Sequence, residues 1–198
     1  ILEEGYFAED QLSAQYFGGV LASSRTGVNR DDRGASFIQL VGRLSTYQIR
    51  AHFIFYTLFT RLCSGRSENL GILDERRKLK IWIPGTLFVI AMDFQSDEDL
   101  KVLTTHTMDG LVREALIDEE WAAGSMAHIK KFSRLKVDTN GIVFHPSPVG
   151  LELYLWAHGV SSVSAGNFLA ADFSPMALDG MAIPEGEKLY APDINIST

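Results

Sequence analysis

From Thr46 to Leu62 the apolar residues Ile49, Phe53, Ile54, Phe55, Leu58, Phe59 and Leu62 point in every direction around a helix. A helix that is apolar all round must be surrounded by protein, so the rest of the chain has to be built about this segment. Ser45 opens it, and Gln48 three residues later completes a capping-box pattern. The segment is not a membrane span. Its longest apolar stretch, Phe53 to Leu62, is cut short by Arg50 and Arg61 and falls short of the roughly 18 residues that a span needs. At 198 residues and 46% hydrophobic, the chain suits one domain of roughly 150 residues with an appendage. A core of that size holds without disulfide or metal staples. The single cysteine, Cys63, excludes a disulfide framework, a zinc ribbon and a dithiol redox pair. It also fits a reducing cytoplasm, the expected compartment. The chain begins at Ile1 without a methionine, which leaves a preceding segment, signal included, open.

Around this centre the pattern is mostly helical. Glu9 to Ser24 carries Leu12, Tyr16, Phe17, Val20 and Leu21 on one face. Gly18-Gly19 interrupts its propensity by about 1 kcal/mol per glycine. The pair either admits another backbone or leaves a kinked, weak helix, and the kink is the expectation. Arg25 to Gly34 reads as a loop. Phe37, Ile38, Leu40, Val41 and Leu44 then repeat at helical spacing, and Gly65 to Gly71 is a second loop. Leu79, Ile81 and Ile83 alternate with Lys78, Lys80 and Trp82, predicting a half-buried strand stopped by Pro84-Gly85. Thr86 to Met92 fits a strand or a helix equally. Ser96 and Asp99 signal a cap before a helix with Leu100, Leu103, Leu111 and Val112, broken near Asp109-Gly110 and ending in Ala115-Leu116-Ile117. Asn140-Gly141 predicts a hairpin turn joining Leu135 and Val137 to Ile142 and Phe144. Ser147, Pro148 and Gly159 read as cap, first position and stop of the next helix. That helix buries Leu151, Tyr154 or Leu155, and Trp156. From Asp172 onward scattered proline and glycine give an extended tail, with Ile183, Leu189, Tyr190 and Ile194 as anchors on the domain, a second copy or a partner. The expected class is therefore mainly α (α+β): one domain over 1–171 and an extended C-terminal tail over 172–198.

No group of residues forms a recognisable catalytic constellation. His52, His106, His128, His145 and His158 lack metal-ligand spacing. His52, on the most apolar helix, reads as a hydrogen-bonded core residue before it reads as a base. Asp97-Glu98-Asp99 reads as the acidic start of a helix, where the dipole favours carboxylates, before it reads as a metal cluster. Ser23-Ser24 has neither a neighbouring histidine nor a nucleophile elbow. Cys63 reads as a buried small hydrophobe. Neither glycine-rich phosphate loop occurs. Trp121 and Trp156 fit a core or a partner equally. No catalytic residue, metal ligand or cofactor is assigned.

Two resemblances follow from the order of motifs. A helix over Leu111 to Ile117, a hairpin over Arg134 to Phe144 and the start Ser147-Pro148-Val149-Gly150 are similar to a winged-helix module. Its first helix would be the one capped by Ser45, giving a winged-helix-like half over 45–159. The stretches YFGGVLASSR (Tyr16 to Arg25), SFIQLVGRLSTYQIR (Ser36 to Arg50) and SPVGLELYLWAHG (Ser147 to Gly159) resemble the Abi-alpha family, bacterial proteins linked by name to abortive infection. This chain has Ser147 and Val149 where that pattern has threonine and leucine, and it carries a long insert over Gly71 to Phe94. The resemblance implies a non-enzymatic bacterial protein acting by protein–protein contact or self-association in phage defence, and it carries over no catalytic residue.

Charge bears on the alternatives, which are a winged-helix DNA-binding regulator and, third, a hydrolytic enzyme. The chain has 18 Lys/Arg against 25 Asp/Glu, a net charge of −7. From Asp93 to Glu120, only Lys101 and Arg113 oppose nine acids. A DNA surface gathers positive charge on the element that reads the groove, so duplex DNA is not the expected partner. Under the regulator alternative, Arg113, Lys130, Lys131, Arg134 and Lys136 would contact the nucleic acid. On the plainer reading, Lys130 to Lys136 is a solvated strand face.

Overall fold

A computed structural model describes residues 2–24, 32–125, 127, 139–177, 181, 183, 184 and 186–190. Among the described residues the helices include α1 (Leu2–Ser24), α2 (Arg33–Val41), α3 (Thr46–Leu62), α4 (Leu73–Arg76), α5 (Gly85–Met92), α6 (Leu100–Arg113) and α7 (Pro148–Ala157). Ala165–Ala170 forms a 3-10 turn. The strands β1 (Leu79–Pro84), β2 (Ala122–Gly124), β3 (Gly141–Phe144) and β4 (Glu187–Tyr190) make one antiparallel sheet in the order β2-β3-β1-β4. The fold is mainly α with a small sheet, an α+β arrangement.

α3 is the centre that its composition demands. Ser45 Oγ accepts from Gln48 N while Gln48 Oε1 accepts from Ser45 N, so both halves of the capping box are made. Every residue from Gln48 to Phe59 is buried. Phe55 stacks on Phe144 of β3 with ring centroids 4.3 Å apart and lies 5.8 Å from Phe88 of α5. One helix thereby joins the sheet to the short helix beside it. Thr86 to Met92, ambiguous by period, is helical: α5 buries Phe88, Ala91 and Met92 at a spacing that only a helix can bring to one side.

Several expectations are corrected. The first helix extends back to Leu2, and it continues through Gly18-Gly19. At Gly19 a Cβ would stand 2.9 Å from Ala157 Cα and closer still to that residue's carbonyl. The glycine thus serves a close approach of α7 to α1. Arg33 and Gly34 begin α2 instead of ending a loop; the rest of that loop, through residue 31, lies outside the described residues. Trp82 is buried as well as Leu79, Ile81 and Ile83, its indole lying against Gly141 of the neighbouring β3. Asp99, not Ser96, caps α6, its carboxylate accepting from Lys101 N and Val102 N. α6 does not break at Asp109-Gly110, where the Gln48 side chain packs against Gly110. It ends at Arg113, and Ile117 instead bridges Pro146.

The Asn140-Gly141 turn is also corrected. Gly141 belongs to β3 and faces Pro84 of β1 on one side and Gly124 of β2 on the other. It is not among the positive-φ glycines, Gly65, Gly124 and Gly159, so it lacks the dihedral that a two-residue hairpin turn requires. The strand neighbours of Ile142 to Phe144 are β1 and β2; Leu135 and Val137 lie outside the described residues. Downstream, Ser147 caps α7 through Gly150 N, Pro148 occupies the first turn, and Gly159 at φ +78° ends the helix. The tail supplies β4, with Leu189 opposite Lys80 and Tyr190 opposite Leu79. Ile183 packs against the core, and Ile194 lies outside the described residues.

Candidate functional site

Where α6 stops and α7 starts, two stretches of chain are laced into a groove. α6 terminates in a Schellman motif: Leu116 N donates to Leu111 O and Ala115 N to Val112 O. The position that glycine usually fills is Ala115, at φ +55°. A left-handed alanine costs about 1–2 kcal/mol, and the surroundings hold it there. Ser147 Oγ donates to Ala115 O at 2.5 Å while accepting from Gly150 N at 2.9 Å. The buried Tyr56 hydroxyl donates to Leu116 O at 2.6 Å and accepts from Ser147 N at 3.0 Å. Asp118 N donates to His145 O. A Cβ at Gly150 would collide with the Tyr56 hydroxyl and Leu116 O, so only glycine lets α7 start this close. The groove forms an open recess of about 320 Å³. Its walls are Val112, Ala115, Ile117, Pro148 and Val149, and its polar lining is Arg77, Asp118, Glu119 and Ser147.

Its charges are unevenly matched. Arg77 Nη2 lies 3.4 Å from Glu120 Oε1, and both Arg43 and Arg113 engage Glu114. Among the described residues, no cation stands within 4.0 Å of the Asp118 or Glu119 carboxylates. His145 lies close by, buried, with Nδ1 3.2 Å from Leu79 O. That carbonyl only accepts, so Nδ1 carries the proton. Nε2 is then a bare lone pair, 3.9 Å from Glu120 Oε2. Burial first, and then the neighbouring Lys80 ammonium, hold His145 down at a pKa of about 3, with Asp118 opposing.

His52 is the second buried imidazole, and it is satisfied on both sides. Its Nε2–H donates to Gly150 O at 3.1 Å, which makes Nδ1 the acceptor for the Tyr16 hydroxyl at 2.8 Å. Burial dominates again and takes its pKa to about 3. The side chain therefore links α1, α3 and α7 as a structural tie. Both histidines titrate near pH 6.5 when unfolded, so the unfolded chain takes up protons that the native chain refuses. Their contribution is fully present above about pH 6.5 and is lost as pH falls toward 3. Urea denaturation is expected to show a loss of about 1 kcal/mol per histidine between pH 7 and pH 5.5. His145→Gln should flatten that slope by about half, and an unchanged slope would contradict the assignment.

The other candidate residues are dispersed. His106 is exposed on α6, and His158 Nδ1–H donates to Tyr154 O at 2.7 Å. Glu98 accepts from the Tyr47 hydroxyl while Asp99 caps α6, so two of the three acids in the triplet serve local structure. Ser23 Oγ donates to Trp156 O and Ser24 Oγ to Val20 O. Cys63 and Trp156 are buried, and Trp121 packs against the core. Arg113 is exposed at the end of α6, beside Glu114. Lys130, Lys131, Arg134, Lys136 and His128 lie outside the described residues. The groove itself was missed by sequence reasoning. Its one legible element was the Ser147-Pro148 helix start; Asp118 and Glu119 merge into Glu120 in a plain acidic run.

No protein-family model matches the chain, and no curated protein or solved structure is significantly similar to it.

Proposed function

We infer that this chain acts without catalysis, by contact with another protein, and that the groove between α6 and α7 is the contact site. The observation that carries this reading is the preformed groove itself, apolar-walled, with Val149 37% exposed at its edge. A recess already formed in the free chain reduces the ordering cost of binding. The setting implied by the Abi-alpha resemblance is phage defence in bacteria. The winged-helix-like reading of 45–159 draws support from the succession α3, β1, α5, α6, β2, β3 and the strand order β2-β3-β1.

Site-specific photo-crosslinking in cells tests the contact. A photoreactive residue at Val149 is expected to capture one defined protein, whereas the same probe at Lys101 is not. Equal capture at both positions, or none at Val149 in folded protein, would remove the groove from the reading.

Duplex DNA is not expected to bind at physiological salt. DNA affinity comes largely from neutralised phosphates, and α6 with its approach presents Asp97, Glu98, Asp99 and Asp109 against Lys101 and Arg113. Sub-micromolar, salt-sensitive binding to mixed-sequence DNA in fluorescence anisotropy would restore the regulator reading.

A further inference from the structure

We propose that the groove between α6 and α7 receives a basic side chain of the partner protein, a lysine or arginine flanked by apolar residues. The inference rests on the protein–protein reading and adds the chemistry of what is bound.

The walls supply the apolar half of the argument. Val112, Ile117, Pro148 and Val149 form the cavity sides, a surface suited to the methylene stem of a long side chain. Asp118 and Glu119 supply the other half, because both residues line the cavity and neither carboxylate has a cation within 4.0 Å among the described residues; Asp118 Oδ1 accepts one hydrogen bond, from Glu120 N at 3.1 Å. The one lining cation, Arg77, is already engaged by Glu120. The positive end of α7 is largely used as well. Ser147 Oγ accepts from Gly150 N, and Leu151 N donates to Ser147 O. Pro148 has no N–H to offer.

Three kinds of occupant can be compared on this lining. An anion would meet the Asp118 and Glu119 side chains, neither of which has a cation within 4.0 Å among the described residues. A purely apolar group would strip water from those carboxylates and return no hydrogen bond, which is costly. A lysine or arginine covers the walls with its stem and gives charge-assisted hydrogen bonds to the carboxylates. At about 320 Å³ the cavity is at the small end of ligand sites, roughly 300–1,000 Å³, which suits one side chain.

The experiment titrates the isotopically labelled full chain with butylguanidinium and follows backbone amides, with butyrate and butanol as matched probes. Saturable shifts confined to residues 77, 112–119 and 147–151 are expected with butylguanidinium and not with the other two. Affinity should fall roughly tenfold in Asp118→Asn/Glu119→Gln, the worth of two partly exposed ion pairs. Glu119→Gln alone, at an exposed position, provides a milder variant with a partial loss. No groove shifts, equal shifts with butyrate or butanol, or affinity unchanged in the variants would overturn the proposal. Groove shifts that grow with protein concentration and no probe would assign the recess to a second copy of the chain and overturn it too. The titration reads only the groove's chemistry, so its failure is distinct from a failure of photo-crosslinking at Val149.

Discussion

Replacing Phe55 by alanine is expected to lower the free energy of unfolding by about 3–5 kcal/mol, the range for a fully buried phenylalanine. The ring is completely enclosed and touches two other elements, stacking on Phe144 and lying beside Phe88. Neither neighbour can collapse into the space without dragging β3 or α5 with it, so the upper part of the range applies. In urea, the midpoint should fall while the slope is kept, the signature of altered stability in an otherwise similar transition. Val102→Ala, at a position 61% exposed on α6, should stay within about 0.5 kcal/mol of the parent. Similar midpoints for both variants would mean that α3 is not the centre of the core.

The paired variants Gly18→Ala and Gly19→Ala are expected to change stability in opposite directions. Both sit in the middle of α1, where alanine is favoured over glycine by roughly 0.5–1 kcal/mol. At position 18 nothing lies within 4 Å of the added methyl, so Gly18→Ala should realise that gain. At position 19 the methyl would run into the backbone of Ala157. A backbone carbonyl cannot swing aside, so α1 and α7 must separate. Forced overpacking of this kind costs about 1–3 kcal/mol, more than the propensity gain. Urea midpoints report both signs. A stabilised Gly19→Ala would show that the two helices do not meet there, and would restore the kinked-helix expectation.

These glycines mark the boundary between what the sequence could determine and what it could not. The capping box at Ser45, the enclosure of α3, the start of α7 at Ser147 and its stop at Gly159 were all legible. Each depends on residues near one another along one helix, where spacing is itself geometry. His52 was legible as a core residue for the same reason, since its neighbours on α3 are apolar on every side. The reading of Gly18-Gly19 failed because local propensity speaks only of α1, whereas the deciding atom belongs to Ala157. Asn140-Gly141 failed likewise. The dipeptide favours a turn, but β3 lies between β1 and β2, and two ladders of hydrogen bonds outweigh one local preference.

The groove belongs wholly to the tertiary structure. Its lining comes from Arg77 and from residues 112–119 and 147–149, and Tyr56, 60 residues before Leu116 and 91 before Ser147, ties the two longer stretches together. No period or spacing links those positions. The sequence by itself determined where most of the longer helices form, where two of them are capped and which one is central, because those properties come from neighbours along the chain; it left α5 open and did not show α4. Only the packed structure decided that Ala115 is held left-handed, that His145 is buried with a bare nitrogen, and that Asp118 and Glu119 face an open recess. Those properties are set by residues far apart in sequence that meet only once the core around α3 has closed.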